Sequence, residues 1–420
     1  NNITMRTFIA VRSAGQNRRA TMNPWRMAHA RGIRWHGAAT GQVCCDNPRM
    51  QETELATLSN TVLWSAFAAA AAFGAIAQRT HFCTMGAIAD IVNMGDWTRM
   101  RMWVLAIAVA VLGFNTMVAI GWVQAGNSLY AGNRLLWLSL ACGGLMFGFG
   151  MVLASGCGSK NLVRAGAGNL KAWVVLLVLG ATAFATLKGI TAVLRVATVD
   201  RVGIDLPAGQ DLPTLLAAGT GMTAPAIAAW LGPLIAAVLL AWVLRLPQGR
   251  SAAVWLGGFG IGAVVVAMWW ISGRLGFVAE HPQTLEATFL VTNSRNMESL
   301  SMVAPVGFLL DWLLFYSDAT KTLTIGIVSM AGVVAGSALA ALLSREFRWE
   351  GFANVEDTAN HLVGAALMGV GGVTAFGCTI GQGLSGISTL SLGSFLAVAA
   401  ITVGALAALR YQIWRMDRLA

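Results

Sequence analysis

One short run of small residues occurs twice in this chain, each time ending in a cysteine and each time embedded in apolar sequence. Gly148, Gly150, Ala154, Gly156 and Cys157 align without a gap on Gly369, Gly371, Ala375, Gly377 and Cys378, at an offset of 221 residues. The same offset sets Cys83, Gly86 and Asp90 opposite Ala304, Gly307 and Asp311, so the repeat extends over about a hundred residues. Membrane repeats related by pseudo-symmetry usually meet at a substrate site near the bilayer midplane. Transport is therefore the first function to expect.

The bilayer follows from composition. With 56% hydrophobic and 11% charged residues and a mean hydropathy of +0.66, the 420 residues carry more apolar surface than a soluble domain of this length can bury. Six cysteines (Cys44, Cys45, Cys83, Cys142, Cys157, Cys378) show no paired spacing, so they read as free thiols rather than a disulfide framework. No clustered His and Cys spacing suggests a metal site, and no cofactor is expected. There is no Walker A sequence for hydrolysing ATP.

Charge is uneven along the chain. Residues 1–49 hold eight arginines against the single acid Asp46, and without them the formal charge of +10 falls to about +3. This segment has neither helical nor strand periodicity, and it lacks the apolar core of a secretory signal. It reads as a basic extension outside the working domain, which is expected to span 50–420. An organellar targeting peptide or a tail touching anionic lipid or nucleic acid ranks lower, since Ser is scarce and no base-reading fold is recognisable, and no nucleic-acid partner is expected.

A span needs about 20 apolar residues. That rule predicts an all-α polytopic membrane protein with nine transmembrane helices, over 58–78, 102–124, 135–156, 170–194, 224–245, 252–272, 322–343, 359–378 and 391–412. Two shorter apolar pieces, 83–95 and 301–316, are punctuated by Gly and Pro and carry Asp90 and Asp311, acids that would be costly facing lipid. They read as re-entrant half-helices. Five crossings between Cys157 and Cys378 make the repeats face opposite ways, with halves at about 58–195 and 252–412 around one connecting span. Loop Lys and Arg number thirteen on the side after the odd spans and six on the other, so the C-terminus is expected in the cytoplasm.

Small residues also let membrane helices pack closely, and a lone cysteine in a span is most often an inert hydrophobe; Cys142, outside the repeat, receives that reading. Cys83, Cys157 and Cys378 differ, because each sits at a predicted helix break and two of them are equivalent in the repeat. Broken backbone at membrane depth is tolerated only inside protein or along a cavity. A thiol there offers a weak donor and a polarisable acceptor, while half-helix N-termini offer amides to an anion. Thiosulfate, with one soft sulfur and three hard oxygens, suits that pairing better than sulfate.

Three motifs carry a resemblance: Arg79-Thr80-His81-Phe82-Cys83-Thr84-Met85-Gly86-Ala87, then Ala154-Ser155-Gly156-Cys157-Gly158, then Gly377-Cys378-Thr379-Ile380-Gly381-Gln382-Gly383-Leu384-Ser385-Gly386. Between about Leu58 and Tyr411 the chain resembles the YeeE/YedE family of inner-membrane sulfur transporters, whose characterised members take up thiosulfate. The resemblance implies an hourglass-shaped inverted repeat in which Cys83, Cys157 and Cys378 pass thiosulfate along by weak thiol-to-sulfur hydrogen bonds. It also implies a bacterial inner-membrane location and a separate TusA-like sulfur-carrier protein at the cytoplasmic face. Some relatives are tied to selenium metabolism, so a selenium compound is the alternative substrate.

The expected pathway residues are Cys83, Cys157 and Cys378 with Gly156, Gly158, Lys160, Gly377, Thr379 and Gln382. Lys160 and Arg164 share one helical face with Cys157 and either hold oxyanions or anchor the helix at the membrane surface. Asn293, Arg295 and Asn296 are candidate donors or a plain polar loop. His361 is expected to pair with Asp357, four residues before it. The rival from another class is a membrane thiol-redox enzyme exchanging disulfides through Cys157 and Cys378; such enzymes usually place their cysteines close in sequence, and these are far apart.

Overall fold

A computed structural model describes residues 48–282, 285–318 and 320–419. The basic segment up to residue 47, with Cys44 and Cys45, lies outside the described residues. The first described helix starts at Pro48.

The described residues form fourteen α-helices: α1 (Pro48–Thr80), α2 (Thr84–Met94), α3 (Thr98–Ala119), α4 (Trp137–Leu153), α5 (Gly158–Gly166), α6 (Leu170–Lys188), α7 (Ile190–Ala197), α8 (Leu212–Thr220), α9 (Ala224–Leu244), α10 (Ala252–Trp270), α11 (Ala304–Leu314), α12 (Ile325–Leu343), α13 (Val355–Thr374) and α14 (Leu392–Leu419). Two antiparallel two-residue pairings, Arg134–Leu135 with Ile204–Asp205 and Phe277–Val278 with Thr288–Phe289, are the strands among the described residues. The protein is an all-α polytopic membrane protein. Its outer face shows side chains such as Trp64, Leu177, Trp230, Val238 and Leu339, exposed apolar groups for which lipid is the compatible solvent.

Among the described residues, eight helical stretches are long and apolar enough to cross a membrane. The ninth expected span, 359–378, is α13, shifted four residues towards the N-terminus; its first turn carries Glu356 and Asp357, which lower its hydropathy. Asn360 and His361 in the same half of the helix lower it further. Further along, Gly364, Ala365, Met368 and Gly371 are buried, and this side of the helix lies against α4 and α6. The span expected over 170–194 is also shorter: it ends at Lys188, and α7 follows after Gly189.

Packing follows the repeat. At the 221-residue offset, α2 corresponds to α11, α4 to α13 and α6 to α14. The helix pairs obey the same rule, since α4 packs on α14 as α6 packs on α13; α3 likewise packs on α10 as its equivalent α12 packs on α1, with α1 and α10 in matching places although their offset is not 221. At the centre α4 crosses α13 on glycines. A Cβ at Gly371 would stand 2.6 Å from the Gly143 carbonyl oxygen, and one at Gly150 would stand 2.6 Å from that of Gly364, which is the same contact displaced by one repeat. Backbone-to-backbone approach of this kind is the established role of small residues in membrane helix packing. The bland reading of the small-residue run is thus correct for Gly150 and Gly371.

Candidate functional site

Each candidate cysteine follows one local design. A helix ends in a non-glycine residue with left-handed φ, at His81 (52°), Ser155 (53°) and Phe376 (55°), and the cysteine comes two residues later. The residue between them donates its backbone N–H five residues back, Phe82 to Ala77 (3.2 Å), Gly156 to Met151 (2.8 Å) and Gly377 to Gly372 (2.9 Å). That closes the helix in a Schellman-type turn and satisfies a terminal carbonyl. The next helical segment then starts at once: α2 after Cys83, α5 after Cys157, and a π-helical turn, Gly381–Gly386, after Cys378. Left-handed φ costs a β-carbon residue energy, and such strain concentrates at functional positions.

Two of the thiols cap the turn just beyond them. Cys83 Sγ accepts the Gly86 N–H at 3.3 Å and Cys378 Sγ accepts the Gly381 N–H at 3.4 Å. Cys157 Sγ lies 3.2 Å from the Ser159 hydroxyl. A sulfur that accepts from the helix start leaves its S–H to donate elsewhere. Cys157 and Cys378 are fully enclosed and Cys83 is half-buried. Cys157 lies within electrostatic range of both others, and Lys160 within range of Cys83 and Cys157. Arg99 and Arg164 add positive potential around Lys160.

The expected residues therefore fall into two groups. Lys160, half-buried in the first turn of α5, makes no ion pair within 4.0 Å among the described residues. Arg164 is committed instead to the Ser155 carbonyl at 3.1 Å and holds the break. Gly156 and Gly377 make room for the next turn: a Cβ at Gly156 would meet Lys160 Cγ at 3.1 Å, and one at Gly377 would meet Gln382 Cγ at 3.1 Å. Gly158 has no room either, with the Met302 carbonyl 3.0 Å from a Cβ. Gln382 donates to the Ala375 carbonyl at 2.6 Å, while its Oε1 and the Thr379 hydroxyl are buried without a partner.

Sequence reasoning missed Asn161. It is equivalent to Gln382 in the repeat and does the same work, donating to the Gly156 (2.9 Å) and Cys157 (3.1 Å) carbonyls. Two side-chain amides at one offset were the available signal. Also missed was a cleft of about 290 Å³ lined by Tyr130, Arg134, Phe376, Gln382 and Ser394 among others, with the Ser394 hydroxyl unpartnered in its wall. Burial pushes the Tyr130 phenol well above its usual range, so it remains a donor at neutral pH. Its hydroxyl would stand 3.3 Å from a Cβ at Gly381, beside the Cys378 turn.

The acids expected to avoid lipid are paired. Asp90 meets Arg99 at 3.3 Å, and Asp311 sits between Lys188 (2.6 Å) and Lys321 (2.7 Å). His361 Nδ1 contacts Asp357 as expected, at 3.0 Å to the carboxylate, and Lys171 shares that carboxylate at 2.8 Å. Asn293 donates to Thr324 at 2.8 Å, so its amide is committed to the loop rather than to a cysteine break. All four described cysteines are free thiols.

Comparison with known proteins fits this arrangement. A family profile described as Sulphur transport matches residues 79–407, from the end of α1 into α14 and across all three cysteine breaks. The chain belongs to this sulphur-transport family, the YeeE/YedE family. It is 27% identical over 334 residues to the thiosulfate transporter TsuA of Escherichia coli (strain K12), covering 77% of this chain and 87% of the relative. It is likewise 27% identical over 345 residues to the thiosulfate transporter TsuA of Spirochaeta thermophila, covering 80% and 94%. This family member is thus a multi-pass membrane protein related to sulfur-compound transporters along nearly its whole helical domain.

Proposed function

We propose that the protein takes thiosulfate into the cytoplasm of a bacterium through a pathway lined by Cys83, Cys157 and Cys378. The observation that carries this reading is the repeated break: three thiols at the starts of short helices, linked by electrostatic proximity, with the unpaired Lys160 beside two of them. Lys160 and the helix starts attract the anion, and the thiols hand on its outer sulfur through weak, exchangeable hydrogen bonds. Cys157, within range of both other thiols, is the middle station. In this reading the cleft bearing Arg134 and Gln382 is the outer mouth, the C-terminus is cytoplasmic and the membrane is the bacterial inner membrane. A separate TusA-like sulfur-carrier protein is the partner at the cytoplasmic face.

The test is growth on thiosulfate as sole sulfur source in a bacterial host stripped of its own uptake systems, with the chain from Met50 compared with Cys83→Ala, Cys157→Ala and Cys378→Ala at matched membrane levels. Growth with the unmutated protein and none with the Cys157 variant is expected. Growth that survives all three substitutions refutes the thiol pathway; failure of the unmutated protein, with uptake of a selenium compound or an oxidised Cys157–Cys378 pair, selects an alternative reading.

A further inference from the structure

A second cavity, of about 50 Å³, is lined by Thr84, Met100, Trp103, Thr379 and Ile401 among others. Three side-chain polar atoms of its lining residues share one property. Thr84 Oγ1, Thr379 Oγ1 and Trp103 Nε1 are all buried and all lack a hydrogen-bond partner in the protein. Both threonine residues are more than nine-tenths buried, at 6% and 2% exposure. Thr402, also on the wall, is ordinary by contrast, since its hydroxyl donates to Val398 at 2.9 Å. Native proteins rarely leave buried polar atoms unpaired, and three on residues lining one small cavity is a coincidence that asks for a ligand.

Position strengthens the case. Thr84 directly follows Cys83 and Thr379 directly follows Cys378, so the cavity is bounded by the first residues after two of the three breaks. Trp103, from α3, lies over the π-helical turn, its ring 2.9 Å from where a Cβ on Gly383 would be. No carboxylate lines the space, and an indole N–H can only donate. The site therefore suits an acceptor, not a cation. At roughly 10–15 Å³ for each water-sized centre, the volume takes about four such groups, the size of a sulfur with three oxygens.

We propose that Thr84, Thr379 and Trp103 form an oxyanion subsite, each donating to one oxygen of the thiosulfate SO₃ group while the outer sulfur is left to the thiols. This rests on the thiosulfate reading and adds the element that orients the ion. Neutral donors hold it without the desolvation cost of an additional buried charge, which suits a station the ion must leave.

The test uses the full chain, reconstituted in vesicles for uptake and in detergent for thermal protection by thiosulfate, sulfate and selenite. Thr84→Val and Thr379→Val keep the shape and remove the donor; Thr→Ser at each position restores it. Loss of each hydroxyl is expected to raise the thiosulfate KM roughly tenfold, with Ser near the unmutated value and the unliganded Tm equal or higher in Val. A KM unchanged in the double Val variant overturns the subsite while leaving the cysteine pathway standing. Should a Val variant fail to reach the membrane, Trp103→Phe carries the same expectation and the same refutation. If the unmutated protein moves no thiosulfate, the uptake reading fails by itself and protection decides the subsite: protection by an oxyanion that disappears in the Val variants supports it, and absent or unaltered protection overturns it.

Discussion

Gly371→Ala places one methyl group where α4 and α13 touch. Its Cβ would stand 2.6 Å from both the Gly143 carbonyl oxygen and the Phe147 nitrogen, where ordinary contact begins near 3.4 Å. Neither atom belongs to a side chain that can swing away, so the helices must separate by about 0.8 Å. Overpacking of this order costs about 1–3 kcal/mol, and replacing glycine by alanine in a helix returns roughly 0.5–1 kcal/mol. The net loss is then centred on about 1 kcal/mol and reaches at most about 2.5 kcal/mol. Gly219→Ala, in α8 with nothing within 4 Å of its Cβ, isolates the helical gain and should be neutral or slightly stabilising. Gly150→Ala, the repeat equivalent, meets the Gly364 oxygen at 2.6 Å and should cost as much as Gly371→Ala. Thermal unfolding in detergent reads all three, alongside thiosulfate uptake, which should fall because α4 and α13 both lead directly into cysteine breaks. A Gly371→Ala protein as stable as Gly219→Ala, or a wide difference between the Gly371 and Gly150 variants, would refute the symmetric crossing.

Four further outcomes are expected. Lys160→Gln should raise the thiosulfate KM roughly tenfold, the worth of one charge-assisted hydrogen bond, with Lys160→Arg retaining most activity. Gln382→Leu leaves the Ala375 carbonyl unpaired and should cost about 1–3 kcal/mol in thermal unfolding, with Asn161→Leu behaving alike at the equivalent break. Lys188→Met and Lys321→Met should each be tolerated, since Asp311 keeps one partner, whereas the double variant strands a buried carboxylate and should lower the Tm sharply unless Asp311→Asn is added. Burial holds the Glu298 carboxyl above its ordinary range against the opposing Ser294 hydrogen bonds, so the folded protein keeps its proton longer than the unfolded chain. Stability should then fall as pH rises from about 4.5, the ordinary glutamate value, through the higher folded value, and Glu298→Gln should flatten that part of a Tm-against-pH curve.

The repeat, the bilayer and the three cysteine breaks were legible in the sequence because each is written locally: small residues in register, apolar runs of spanning length, and helix-ending residues beside each thiol. The pairing of His361 with Asp357 was legible for the same reason, being one helical turn. Tertiary structure alone decided that Lys188 ends its helix on Asp311, that Arg164 is consumed by the Ser155 carbonyl while Lys160 stays unpaired, and that Thr84, Trp103 and Thr379 share a cavity. It also set α13 between α4 and α6. Hydropathy and helix-ending signals act over a few turns of chain, so one strand of sequence contains them. Which polar atoms go unpartnered depends on residues hundreds of positions apart, and only the packing of the helices brings those together.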